Sequence, residues 1–173
     1  MRNAYKPWLP VVLWMGVIFV ASSDSGNFEQ SSRFIGPVLR WLFPTASAET
    51  LALLHHLVRK AAHFTEYAIL ALLALRALRL SKPERGFLKA TAIALLVAAG
   101  YAATDEFHQS FVPGRTAAAG DVLIDTAGAV AALAVAALWR RRNERPLIAA
   151  NGPSAPRQAR GPEHVERRDG PSI

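Results

Sequence analysis

Four long apolar stretches constrain this chain more than any other feature: residues 8–21, 60–79, 87–107 and 119–139. At about 1.5 Å per residue, each of the last three covers roughly the 30 Å hydrocarbon layer of a bilayer, and the first makes a short span. Inside that layer backbone N–H and C=O groups must be bonded within the protein, which favours helix in every stretch. Hydrophobic residues make up 51% of the sequence, with Ala and Leu gathered in blocks and not spread at amphipathic spacing, which counts against a water-soluble domain. The first stretch follows Arg2 and Lys6 and begins with Trp8, as suits a membrane interface. It also imitates a secretory signal, with Val20-Ala21-Ser22-Ser23 at the cleavage position, but Trp8, Pro10, Trp14 and Gly16 are unusual in a signal core and favour an uncleaved span. Small residues, including Gly100, Gly120 and Gly128, are expected to let the helices pack closely where lipid supplies no hydrophobic drive. The expected fold is all-α, a polytopic membrane protein built as a bundle of four transmembrane helices.

The basic residues set the orientation. Arg2 and Lys6 precede the first stretch, Arg76, Arg79, Lys82, Arg85 and Lys89 bracket the second turn, and Arg140, Arg141, Arg142 and Arg145 follow the fourth stretch. With four spans all three groups fall on one side, which the positive-inside rule makes cytoplasmic, together with both termini. The outer connections are then a long one over residues 22–59 and a short one over 109–120. In the long one Phe34, Ile35, Val38, Leu39, Trp41, Leu42 and Phe43, with Arg33 and Arg40, read as an additional amphipathic helix, either lying in the membrane interface or packed on the bundle. Pro44 ends it, and Thr45 or Ser47 can cap a new helix that runs into the second span. The expected domains are a transmembrane domain over residues 1–139 and a basic, Pro/Gly-containing, disordered cytoplasmic tail over 140–173. The formal charge of +7 is placed beside apolar blocks and in the tail, with no nucleic-acid-binding motif, so membrane lipids and not nucleic acid are the expected partner. No cysteine is present, which removes disulfides, thiolate nucleophiles and thiolate metal sites.

Ionisable residues stand at the outer ends of the last three spans, where charge is costly and asks for a reason. They are Lys60, His63 and Glu66; Asp105, Glu106, His108 and Gln109; and Arg115, Asp121 and Asp125. At 3.6 residues per turn His56, Lys60, His63 and Tyr67 share a face with Glu66 to one side. Tyr101, Asp105, His108 and Gln109 share another, from which Glu106 points away, and Asp121 and Asp125 are one turn apart. One reading is mutual neutralisation, with Lys60 or Arg115 paired to Asp105, Asp121 or Asp125. Buried ion pairs are weak glue, however, so a cluster of this size suggests a site. A metal centre drawn from His63, Glu66, Asp105, Glu106 and His108 has suitable residue types but no established ligand spacing, and no metal or other cofactor is expected. General acid and base chemistry is open to His63 and His108 beside Glu66 and Asp105, acting on water or a hydroxyl. The Pro113-Gly114-Arg115 turn can present a guanidinium fork to a phosphate, or close a tight loop on a local carboxylate. Lys60, Glu106, Gln109, Arg115, Asp121 and Asp125 are the expected ligand-binding residues.

The motifs Lys60-Ala61-Ala62-His63-Phe64-Thr65-Glu66-Tyr67, Thr104-Asp105-Glu106-Phe107-His108-Gln109-Ser110-Phe111-Val112-Pro113-Gly114-Arg115 and Asp121-Val122-Leu123-Ile124-Asp125-Thr126-Ala127-Gly128 closely resemble the VanZ-like family of small bacterial membrane proteins. The resemblance covers about residues 8–139. That family is named for a protein associated with low-level resistance to teicoplanin, an acylated glycopeptide, and the resemblance supplies no mechanism. It implies a place in the bacterial cytoplasmic membrane. Two functions are expected from the polar cluster: non-enzymatic binding of a lipid-linked or amphiphilic envelope molecule at the outer face, to which the resemblance adds a tie to glycopeptide resistance, or intramembrane hydrolase or transferase chemistry on a lipid-linked substrate.

Overall fold

The computed structural model describes residues 5–24, 28–111 and 119–150, and all regular structure among them is helical. A 3-10 turn, Lys6–Trp8, leads into α1 (Leu9–Asp24); α2 (Phe28–Leu42), α3 (Ala48–Ser81), α4 (Phe87–Gln109) and α5 (Ala119–Ala150) follow. Three segments are long and apolar enough to cross a membrane, Ala48–Ser81, Phe87–Gln109 and Gly120–Asn143, and Lys6–Ser22 is a shorter apolar helix. The chain divides into two compact units, Met1–Leu138 and Trp139–Ile173. Described structure in the second is the final part of α5, which stays helical beyond the apolar run. Arg115 and the turn around it lie outside the described residues, as does the tail from residue 151.

α3 is the axis of the first unit. Its start is fixed at Ser47, whose side chain accepts a hydrogen bond from the Thr50 N–H at 3.2 Å and so satisfies one of the donors that a helix N-terminus leaves open. From there the helix runs unbroken through the second apolar stretch to Ser81. α4 turns back along it. The buried face of α4 is a column of alanines one turn apart, Ala90, Ala94, Ala98 and Ala102, set in one core with Leu70, Ala71, Ala74, Ala77 and Leu78 of α3. Methyl groups at that spacing let two backbones approach, and contact dispersion then holds helices that lipid does not drive together.

Two hydrogen bonds tie α1 into this pair. The Trp14 indole N–H donates to the Glu66 carbonyl at 2.9 Å, and the Tyr101 hydroxyl donates to the Met15 carbonyl at 2.6 Å. Val11, Ile18 and Ser22 form the buried side of α1. α2 packs on α3 with Leu39 buried, while Val38, Trp41 and Leu42 are exposed. Leu88, Leu96, Leu123 and Val135 face outward on α4 and α5, giving the apolar exterior that a bilayer accepts.

Of the three glycines expected at close contacts, only Gly128 is at one. A methyl group there would overlap the Phe64 carbonyl oxygen and sit 2.9 Å from its carbonyl carbon. Gly100 and Gly120 have open space where a side chain would be, because alanines and not glycines build the face of α4.

Candidate functional site

Helix direction brings the polar patches to one end of the first unit. α3 and α5 run parallel, since Lys60 meets Asp121, His63 meets Asp125 and Phe64 meets Gly128 in ascending order. α1 and α4 also run parallel, with Met15 bonded to Tyr101 and Ser22 bonded to Asp105 and Gln109. The start of the second apolar stretch, the end of α4, the start of α5 and the end of α1 therefore gather together.

Asp105 is the centre of the most buried group. Its Oδ2 accepts hydrogen bonds from Gln109 Nε2 at 2.8 Å, Ser22 Oγ at 3.1 Å and the Tyr67 hydroxyl at 3.3 Å, so side chains from α1, α3 and α4 share one carboxylate oxygen. Gln109 also donates to Ser22 Oγ. The cause is helical phase: Asp105 and Gln109 continue the buried column of α4 beyond Ala102, and Tyr67 stands at the head of the buried run of α3 that goes on through Leu70, Ala71 and Ala74. Burial without partners would make each of these groups costly, whereas convergence on one anion satisfies three donors together.

The seam between α3 and α5 holds two further pairs. Lys60 Nζ donates to Asp121 Oδ1 at 2.8 Å, and both side chains are about a third exposed, at 33% and 39%. His63 Nδ1 lies 3.7 Å from Asp125 Oδ1, with side-chain exposures of 16% and 5%, so this second pair is much more shielded. At 3.7 Å it is too long for a hydrogen bond, and it is an ion pair only when His63 is protonated. His108 packs against Phe19 with ring centroids 4.7 Å apart. Asp105 Oδ1, Asp125 Oδ1 and His108 Nδ1 are buried and make no hydrogen bond among the described residues.

A cleft of about 120 Å³ opens beside this cluster, lined by Ala21 and Ser22 of α1, Ile35 of α2, and Val58, Arg59, Ala62, His63 and Glu66 of α3. Most of its wall is apolar, and four of the eight residues that line it are Ser22, Arg59, His63 and Glu66.

Helical phase in the sequence thus places Lys60, His63, Asp105, Gln109, Asp121 and Asp125 in contact groups, and Glu66 in the cleft. His108 belongs to the α1 side, and Glu106 is half-buried on α4. His56, expected on the face of Lys60 and His63, is exposed, while its neighbour His55 is buried. Among the described residues no three His, Asp or Glu side chains are placed to hold a metal ion together. Ser22, Tyr67 and Arg59 were not among the expected site residues. The signal for Ser22 is its phase, one turn beyond Ile18 on the buried side of α1; that for Arg59 is its spacing from His63 and Glu66, one and two turns along α3.

No curated protein and no solved structure matches the chain. Residues 8–140 match the family model described as VanZ/LLP1. That match takes in all four apolar stretches and every polar residue assembled above, and the chain belongs to the VanZ-like family.

Proposed function

We propose that this protein crosses the bacterial cytoplasmic membrane four times, with both termini inside, and uses the gathered polar end as an outward-facing binding site for a lipid-linked or amphiphilic envelope molecule. The carrying observation is the cleft that joins aliphatic wall to Arg59, His63 and Ser22 beside the Asp105 group. A site with both characters suits a ligand with a polar head and a hydrocarbon chain. The orientation is supported by the basic residues at the opposite ends of the spans. In this arrangement α2 lies in the outer interface, with Leu39 toward the protein and Val38, Trp41 and Leu42 toward lipid. A contribution to tolerance of acylated glycopeptides such as teicoplanin belongs to the same reading, because such molecules act at the outer leaflet, and a deletion strain with raised sensitivity would support it.

The test is selective capture. Purified protein equilibrated with a lipid extract of the bacterial envelope is expected to enrich one amphiphile, and Lys60→Ala and Arg115→Ala to reduce that enrichment. Bound lipids in the proportions of the extract, unaltered in both variants, would overturn the reading.

A second reading is favoured by the buried atoms that lack hydrogen bonds on Asp105, Asp125 and His108, since such atoms in a native site often mark chemistry. Here the protein is an intramembrane hydrolase or transferase, with His63 and His108 moving protons and Glu66 and Asp105 orienting them. Conversion of labelled lipid precursors should then disappear in His63→Ala and His108→Ala variants that still fold; full conversion in both would sink it.

A further inference from the structure

α3 sorts its charges onto two faces. Lys60 meets Asp121 of α5, and His63 stands both against Asp125 and in the cleft wall, whereas Arg59 and Glu66 line the cleft without meeting α5, two turns apart on the same side. Among the described residues neither the Arg59 guanidinium nor the Glu66 carboxylate has a hydrogen bond or an ion pair; outside the helix ladder, Glu66 is bonded through its main-chain carbonyl, which accepts from the Trp14 indole. Seven residues of helix separate the two α-carbons by about 10 Å, too far for the pairs that form readily at three or four residues. One cleft therefore holds an unmatched cation and an unmatched anion, with Ile35, Val58, Ala21 and Ala62 as apolar wall.

We infer that this cleft recognises an amphiphile whose head group joins a phosphate to a primary ammonium, the phosphate bound by Arg59 and the ammonium by Glu66. The inference rests on the outward-facing site proposed above and names its ligand class. A purely anionic head group satisfies Arg59 but lies near the Glu66 carboxylate. A quaternary ammonium satisfies charge but has no N–H to donate, whereas a primary ammonium offers three. The guanidinium fork matches phosphate oxygens in a bidentate manner. Size agrees. At about 120 Å³ the cleft is far smaller than the roughly 300 Å³ at which drug-sized ligands become enclosed, so it takes a head group and leaves the acyl chains outside along the lipid-facing helices.

Native mass spectrometry of the full-length protein in detergent tests this with phosphatidylethanolamine, phosphatidylglycerol and phosphatidylcholine of identical chains, and with soluble O-phosphoethanolamine as competitor. The ethanolamine lipid is expected to bind about 10-fold more tightly than the other two, the scale of one charge-assisted hydrogen bond. Glu66→Gln should abolish its advantage over phosphatidylglycerol while binding persists, and Arg59→Gln should weaken both. Ala62→Leu fills the cleft without touching either charge, and should remove binding even if a charge variant fails to fold. Strong competition by O-phosphoethanolamine supports the same chemistry with a water-borne ligand; weak competition supports the lipid. Equal affinity for the ethanolamine and glycerol lipids, or wild-type preference in all folded variants, overturns the inference. Enrichment of some other envelope lipid independent of Arg59 and Glu66 overturns it alone and leaves the proposed function standing, whereas failure to enrich any lipid overturns both.

Discussion

Gly128 of α5 lies directly against the main-chain carbonyl of Phe64 in α3, with no room for even a methyl group between them. The obstacle is backbone and not the end of a flexible side chain, so it cannot swing aside. Gly128→Ala is expected to push α5 off α3 and to cost about 1–3 kcal/mol, the range for overpacking. Thermal unfolding in detergent measures this. Gly100→Ala, where space is open, should leave the melting temperature within a degree or two of wild type.

Removing the shared acceptor at Asp105 should be the more damaging change. Asp105→Ala takes an acceptor from the Ser22 and Tyr67 hydroxyls and the Gln109 amide together; Gln109 keeps its bond to Ser22 Oγ, whereas the Tyr67 hydroxyl loses its acceptor, at a cost of about 1–3 kcal/mol. Asp105→Asn keeps one acceptor oxygen and should be milder. Equal stability of the two variants would mean that the three donors do not depend on the carboxylate.

The two pairs between α3 and α5 should separate in double-mutant cycles. Lys60 with Asp121 is partly exposed, and a coupling of at most about 1 kcal/mol is expected there. Asp125 is almost wholly shielded, so at a pH where His63 is protonated Asp125→Ala, which leaves a buried imidazolium without its counter-charge, should lower stability more than Asp121→Ala does. The reverse order would place Asp125 in a wetter setting than its burial implies.

Orientation can be read chemically because the native chain has no cysteine. Single cysteines at Ser110, exposed at the end of α4, and Glu84, exposed between α3 and α4, mark opposite ends of one span. A membrane-impermeant maleimide applied to intact cells should label Ser110→Cys, and should reach Glu84→Cys only after the membrane is opened. Labelling of Glu84→Cys alone in intact cells would invert the topology.

What the sequence made legible was whatever depends on a single helix. Lys60 and His63 on one stripe, Asp121 and Asp125 one turn apart, and Asp105 with Gln109 all follow from a 3.6-residue repeat, while the cap at Ser47, one of two candidates with Thr45, follows from a hydroxyl side chain placed after Pro44. Relationships between helices were less accessible. Ser22 sits where an apolar run ends and resembles a cleavage motif, and its tie to Asp105 spans 83 residues of sequence with no local trace. In the sequence Arg59 is only the last residue of the connection over 22–59, and it takes α1 and α2 to make it part of a cleft. The glycines differ for a related reason: composition says that small residues are present, but only the partner helix decides which of them is approached, and that is Gly128 and not Gly100 or Gly120.

The column Ala90, Ala94, Ala98 and Ala102 has a thermodynamic consequence for how this protein comes together. An alanine has no side-chain rotamers, so α4 gives up essentially no side-chain conformational entropy on its central face when it closes against α3, while leucines or methionines at the same places would give up about 0.5–2 kcal/mol each. Its closure needs no search among rotamers, which suits α3 and α4 to form first as a stiff hairpin. The polar contacts of α1 and α5 then fasten onto a frame already set, and motion in the finished molecule is expected to concentrate in those two later helices.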